Sequence, residues 1–421
     1  MRARSKWFAV PAVVVFRLAW LAGMLSRATG RGVGGTFPGR IALALRPTAL
    51  RDLTADRTVV LVSGTNGKTT TTRFLSTAIA GQGEVVTNGG GANLLPGLVT
   101  AFLPPPSPSA VAVLEVDEAV LPLAIEQMKP RLVVLLNLSR DQLDRFQEVG
   151  SHVLRWAAAL RTQPTVQVVA NADDPLVVAA VLRAELPEQA VTWVAAGAPW
   201  RSDAPLCPLC GHAWDMRAEP WSCDSCGATA PRANWSMQGT GAIVDARGQV
   251  VPMQLALGGR AAAANAVMAA AAADLLGVAA AAAVERFAGV EDVDGRYRTQ
   301  VVAGRRVQLL LAKNPAGWLE VLDQLQAAPG ELLLGINART ADGMDPSWLW
   351  DVPFEKLRGR KVVVFGERGL DLSVRLHYAE VDHTVAEAVM TALASTDGDA
   401  LVAANYTAFV SARAELRVAA A

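Results

Sequence analysis

The chain has 421 residues, 52% of them hydrophobic, and its 39 Lys+Arg are matched by 39 Asp+Glu. That length exceeds one compact core and predicts two or three domains. A net charge of zero gives no reason to expect a nucleic-acid partner, so any anionic ligand must be held by local charges.

In chain order, the first feature is an apolar run over residues 7–25 behind Arg2, Arg4 and Lys6. A signal peptide or membrane anchor reads similarly. Pro11 and Arg17 interrupt the run, no small-residue cleavage site follows cleanly, and a further basic segment runs from 27 to 40. The expectation is a helix that packs on the body or lies at a membrane surface, within an N-terminal helical segment of residues 1–53. Residues 58–63 then read as a buried strand, followed by a Gly-rich turn and a helix from about Thr69. Strands are expected at 111–116, 132–138 and 166–170, with helical patterns between them. This alternation predicts an α/β fold with a doubly wound parallel sheet over residues 54–298. Residues 104–108 are a Pro-rich stiff connection.

Residues 204–232 break the pattern as a small inserted module, and 261–283 read as one Ala-rich helix. Beyond about 299 the strands expected at 307–311, 332–336, 361–365 and 400–404 predict a second, smaller α/β domain running to 421.

Two motifs carry chemistry on their own residues. Gly64-Thr-Asn-Gly-Lys-Thr-Thr70 follows a buried strand and opens a helix. Gly64 and Gly67 let the backbone approach phosphates. The N–H groups from Thr65 and Asn66 to Thr70, and the helix N-terminus, can then face the anion. Lys68 is expected to bridge the terminal phosphates of ATP, and Thr69 to bind Mg²⁺. The second motif is Cys207, Cys210, Cys223 and Cys226, two Cys-x-x-Cys knuckles. Four thiolates suit a closed tetrahedral Zn²⁺ site of structural kind. A redox pair is the alternative, although one knuckle would suffice for it. Glu219 and Asp224 dilute any basic face, so the module reads as a clip and not as a nucleic-acid reader.

The phosphate loop resembles that of the Mur ligase and folylpolyglutamate synthetase superfamily, whose members phosphorylate a carboxylate with ATP and let an amine displace the phosphate. Further residues match that superfamily. Glu115, in Leu114-Glu-Val-Asp-Glu118, falls where its members place a Mg²⁺-binding Glu. Asn171 and Asp174 match its Asn-x-Asp-Asp-Pro. Asn265 matches the second Asn of Gly-x-x-Asn-x-x-Asn, with Ala262 in place of the first and Ala264 in place of an aromatic. Arg296, in Gly295-Arg-Tyr, matches the hinge pair whose Arg can reach a phosphate.

Within the superfamily the chain resembles the MurT branch. Gln142 stands where amino-acid-adding members usually carry His. No Lys occurs between Lys129 and Lys313, so a carbamylated Lys for a second Mg²⁺ is excluded. The four-Cys insertion, Lys313-Asn-Pro-Ala-Gly317 and Asp342-Gly-Met-Asp-Pro-Ser-Trp348 also resemble that branch.

The resemblance implies ATP-dependent amidation of the α-carboxylate of D-Glu at stem-peptide position 2 of lipid II, through an acyl phosphate, giving D-isoglutamine. Ammonia would come from a GatD-like glutaminase in a heterodimer. Asp345 would complete the glutaminase triad by orienting its His, while Lys68 and Glu115 serve the ligase reaction. With all four Cys assigned to the metal, this chain holds no Cys nucleophile of its own for glutamine. The implied location is the cytoplasm, at the inner face of the plasma membrane. An amino-acid-adding ligase and a non-catalytic ATP-binding scaffold are the competing readings.

Overall fold

The computed structural model describes residues 11–28, 36–140, 149–291 and 297–419; Gln142 and Arg296, singled out above, lie outside them. Three helices open the chain: α1 (Ala12–Ala28), α2 (Phe37–Leu45) and α3 (Ala49–Thr54). The first sheet follows, as β1 (Val59–Ser63), α4 (Lys68–Ile79), β2 (Val85–Val86), α5 (Leu95–Ala101), β3 (Val111–Glu115), α6 (Leu121–Met128), β4 (Leu132–Leu135), α7 (Val149–Arg161), β5 (Gln167–Asn171), α8 (Pro175–Ala184) and β6 (Val191–Ala195). After the Cys module come β7 (Trp235–Gln238), β8 (Ala242–Val244), β9 (Val250–Pro252), α9 (Arg260–Leu275) and α10 (Ala280–Phe287).

Among the described residues these strands form one sheet in the order β2-β3-β1-β4-β5-β6-β7-β8-β9. Pairing is parallel from β2 to β7 and antiparallel across β7, β8 and β9. β1 sits in the middle and is buried along its whole length. A central parallel strand is covered on both faces, so it reads Val-Val-Leu-Val without polar alternation. Alternate residues still point to opposite faces. Val59 and Leu61 enter the core beneath α1 to α3 and α5 to α8, while Val60 and Val62 enter the core beneath α4, α9 and α10.

The single helix expected over 261–283 is two. Gly277 takes φ +88° and its N–H bonds back to Asp274. That left-handed residue ends α9, as glycines do just past a helix C-terminus, and the chain restarts at α10. β4 also stops at Leu135, short of the expected 138, and residues 136–139 turn into a loop above the sheet.

The C-terminal half has its own sheet. Its elements are β10 (Tyr297–Val302), β11 (Arg305–Leu311), α11 (Pro315–Ala327), β12 (Glu331–Gly335), β13 (Lys361–Phe365), α12 (Gly369–Tyr378), β14 (Asp382–Val385), α13 (Val389–Ala394), β15 (Ala400–Ala404) and α14 (Tyr406–Ala419). The order is β10-β11-β15-β12-β13-β14, parallel except for the β10–β11 hairpin. Two apolar cores flank it, one around Trp318 and Phe354, the other around Val402 and Phe409.

Candidate active site and metal module

β1 delivers the chain to the phosphate loop at the carboxyl edge of the sheet, where open α/β sheets hold ligands. Gly67 has φ +85°, and a Cβ there would lie 2.2 Å from Asn265 Oδ1. Only glycine lets α9 come that close, so Asn265 stands directly beside the loop. The loop is pinned from below by the turn after β4. Asn66 N donates to Asn137 Oδ1 (2.8 Å), Asn137 Nδ2 donates to Asn66 O (3.0 Å), and Thr65 N donates to Asn137 O (3.0 Å).

Lys68, the first residue of α4, is nearly buried. Its Nζ donates to Gly64 O (2.5 Å), Thr65 O (3.0 Å) and Glu118 Oε2 (2.9 Å). Burial raises the pKa of Glu118, but the Lys68 ammonium more than offsets this, and the carboxyl is held below its ordinary 4.5. The pair therefore stabilises the fold above about pH 4.5, and that contribution is lost as pH falls through the depressed folded value. Glu118→Ala would take the carboxylate away from a buried ammonium. Its expected cost is about 3 kcal/mol at pH 7, read by denaturant unfolding; a loss below about 1 kcal/mol would show that the pair is not a buried one.

Thr69 Oγ1 donates to Glu115 Oε2 at 2.6 Å, and Asn93 Nδ2 donates to Glu115 Oε1 at 3.1 Å. Glu115 is 1% exposed and its backbone exchanges two hydrogen bonds with the Asn88 side chain. A hydroxyl and a fixed carboxylate at the mouth of a phosphate loop are hard oxygen donors of the kind Mg²⁺ takes.

Beside the loop opens a cleft lined by Asn137, Asn171, Trp200, Asn265 and Met268, with Ala316 and Glu320 closing it from the C-terminal half. Asn171 Nδ2 holds the backbone carbonyls of Leu136 and Gly197 (both 3.1 Å). Asp174 caps α8 by accepting from Leu176 N and Val177 N, and also accepts from Leu138 N (3.0 Å). Burial pushes its carboxyl up to about 6 despite those three donors. Asn171 and Asp174 thus shape the cleft through the backbone. The cleft is shared between halves: Asn66 Nδ2 donates to Asn314 Oδ1 (3.2 Å), and Arg260 pairs with Glu320.

The four sulfurs of Cys207, Cys210, Cys223 and Cys226 lie within 4.8 Å of one another, a spacing that fits one metal ion. The backbone N–H of His212 draws Cys210 down to about 6. The Ala228 N–H favours ionisation of Cys226, but the neighbouring sulfurs outweigh it and push that thiol up to about 12. A cation among the four sulfurs would let all of them ionise. The module is fastened to the cleft. Trp221 is buried and its Nε1 donates to Ala172 O (3.2 Å), next to Asp174, while Arg183 donates to Pro208 O and Leu209 O.

Residues 62–273 match the Mur ligase middle domain and residues 311–409 match the MurT ligase C-terminal domain. The chain is 31% identical over 77% of its length, and 77% of the relative's, to the lipid II isoglutaminyl synthase (glutamine-hydrolyzing) subunit MurT of Streptococcus pneumoniae. The chain belongs to the MurT family. The Staphylococcus aureus MurT subunit is 29% identical over 87% of both chains. Solved structures share the fold. A pseudomurein peptide ligase type C from Methanothermus fervidus has a TM-score of 0.66 at 18% identity, covering 86% of this chain and 79% of that one. The MurF ligase of Thermotoga maritima in complex with ADP has a TM-score of 0.60 at 15% identity, covering 88% and 84%.

Within this MurT-family chain, Asp345 stands apart from the cleft. It is exposed on the loop after β12, accepting from Ser347 N (2.8 Å) and Ser347 Oγ (2.9 Å). The same loop is anchored by buried Asp342, which accepts from Thr407 N (2.8 Å) and Arg339 N (3.2 Å). Sequence reasoning missed Asn88, Asn93 and the role of Glu118. The Gly-rich stretch Asn88-Gly-Gly-Gly-Ala-Asn93 was the available signal for the first two.

Proposed function

We propose that this chain is the synthetase subunit of a glutamine-hydrolysing lipid II isoglutaminyl synthase. The observation that carries the reading is that both halves match: a Mur ligase middle domain joined to a MurT C-terminal domain, in a chain alike over most of its length to subunits of that name. The units we assign are residues 1–53, 54–298 with its insertion at 204–232, and 299–421.

The loop from Gly64 to Thr70 would hold the phosphates of ATP, with the adjoining cleft beside Asn265 open to the rest of the nucleotide. Mg²⁺, held by Thr69 and Glu115, would neutralise charge on the transferring phosphoryl group. Lys68 leaves Glu118 for the terminal phosphates. A D-Glu α-carboxylate oxygen bonds to the γ-phosphorus and ADP departs. Ammonia then adds to the acyl carbon, phosphate leaves and a proton is released. The ammonia comes from a GatD-like glutaminase, whose catalytic His is oriented by Asp345. Met344, Trp350 and Tyr378 are exposed in the same region, and the Trp350 and Tyr378 rings lie 5.3 Å apart, an apolar surface suited to such a partner. ATP and a lipid-linked precursor together place the reaction at the cytoplasmic face of the membrane.

Amidation of lipid II by the subunit and its glutaminase, followed by mass spectrometry, tests this. A product about one mass unit lighter is expected with ATP and either glutamine or ammonia. Absence of that product with both nitrogen sources, while an added amino acid is incorporated, would favour the amino-acid ligase reading. If ATP binds and nothing turns over, the scaffold reading gains.

The four-Cys cluster is assigned to a structural Zn²⁺. Removing it with a chelator is expected to lower the unfolding midpoint by at least about 5 °C. ATP affinity should fall with it, because Trp221 no longer props the Ala172 carbonyl beside Asp174. Unchanged unfolding after metal analysis shows full depletion would count against a structural site.

A further inference from the structure

The basic and acidic residues of the chain are unevenly shared. Nine of its 39 Lys+Arg fall in the first 51 residues, and the first of its 39 acidic residues is Asp52. The remaining 370 residues carry 30 basic against 39 acidic groups, so a positive segment is joined to a negative body.

The helices within that segment have two apolar faces. Val15, Phe16, Ala19 and Gly23 of α1 are buried and pack towards α2. On the opposite side, Val14, Leu18, Leu21 and Leu25 recur at the i, i+4, i+7, i+11 spacing of one helical stripe. All four are exposed, Leu25 by 66%, and Val13 and Met24 flank them. Phe37 and Leu45 of the adjoining α2 are exposed as well. The charged residues on these two helices, Arg17, Arg27 and Arg40, are all basic and all exposed. A continuous apolar stripe of this kind on a soluble surface marks a contact.

We infer that the outer face of α1 and α2 docks on an anionic lipid bilayer. Charge decides the occupant. A face with arginines and no carboxylate is complementary to anionic headgroups, and long arginine stems can lie along the acyl boundary while their guanidinium groups stay at the phosphates. A second copy of the same face would meet it with like charge. The negative remainder is repelled by the same surface, so the chain sits with α1 down and the body outward. Among the described residues no helix is long and apolar enough to cross a membrane, so α1 lies on the bilayer and does not span it. The platform is tied to the catalytic edge. Gly39 N of α2 donates to Thr100 Oγ1 of α5 (2.9 Å), and α5 begins two residues after Asn93, which holds Glu115.

Flotation of the full chain with vesicles tests the docking without any turnover, so it stands or falls apart from the amidation reading. Vesicles of phosphatidylglycerol and phosphatidylcholine are compared with phosphatidylcholine alone. Binding to the anionic vesicles is expected, weakened by salt, and reduced roughly fivefold for each of Arg17→Gln, Arg27→Gln and Arg40→Gln. The combined Leu18→Gln, Leu21→Gln, Leu25→Gln variant is expected to stay in solution while binding ATP as the parent does. The inference is overturned if the parent ignores anionic vesicles, if the leucine variant floats as well as the parent, or if sedimentation shows a dimer that the leucine variant abolishes.

Discussion

Lys68→Met is expected to lower precursor-dependent ATP turnover by at least about a thousandfold, the scale lost when a preorganised charge is taken from a phosphoryl-transfer site. The resting structure explains the size of the effect. Lys68 is held at the loop by two of its carbonyls and by Glu118, so its charge already lies beside the loop and only the Glu118 contact has to be exchanged for the phosphates. Met keeps the length of the side chain and removes only the ammonium. Glu118, left without a cation, protonates at a higher pH, so stability must be followed beside the rate. Steady-state ADP release with lipid II, and nucleotide binding measured separately, give the result; a loss under tenfold would remove Lys68 from the reaction.

Asp345→Asn should separate the two halves of the proposed chemistry. Amidation from glutamine is expected to fall about 10⁴-fold, as when the carboxylate of a catalytic triad becomes an amide and the His tautomer is no longer fixed. Amidation from free ammonia should stay within about twofold of the parent, because Asp345 lies outside the cleft beside the Gly64 to Thr70 loop. The Ser347 bonds that hold the carboxylate can be accepted by the amide oxygen in part, so the loop should keep its shape. Equal loss with both nitrogen sources would instead mean that the loop carries structure, and the proposed triad role would be dropped.

Much of the fold was legible because its signals are local. β1, β3 and β5 are five-residue strands built on apolar runs, and Gly64 to Thr70 is recognisable by its spacing. The short β2, β7, β8 and β9 have no run long enough to register, and their pairing is supplied by neighbours far along the chain. The Ala-rich stretch hid a helix end because alanine gives no face or cap; Gly277 alone marked it. In the site, residue types were readable and partnerships were not. Lys68 and Glu118 are 50 residues apart, and Asn66 and Asn314 are 248 apart. Such contacts depend on how strands are ordered, and no periodicity encodes that. Asp345 is the reverse case: its surroundings are an ordinary turn, and only the likeness of the whole loop to its family pointed to it.

The Asn66–Asn314 amide pair joins the loop proposed to hold phosphate to the residue that caps α11. Free energy along a closed cycle must balance. If filling the loop strengthens that pair by some factor, then pressing the C-terminal half towards the loop tightens nucleotide binding by the same factor. A protein seated on the far side of that half would therefore report on the fuel state of the enzyme, and could set it, without touching the nucleotide.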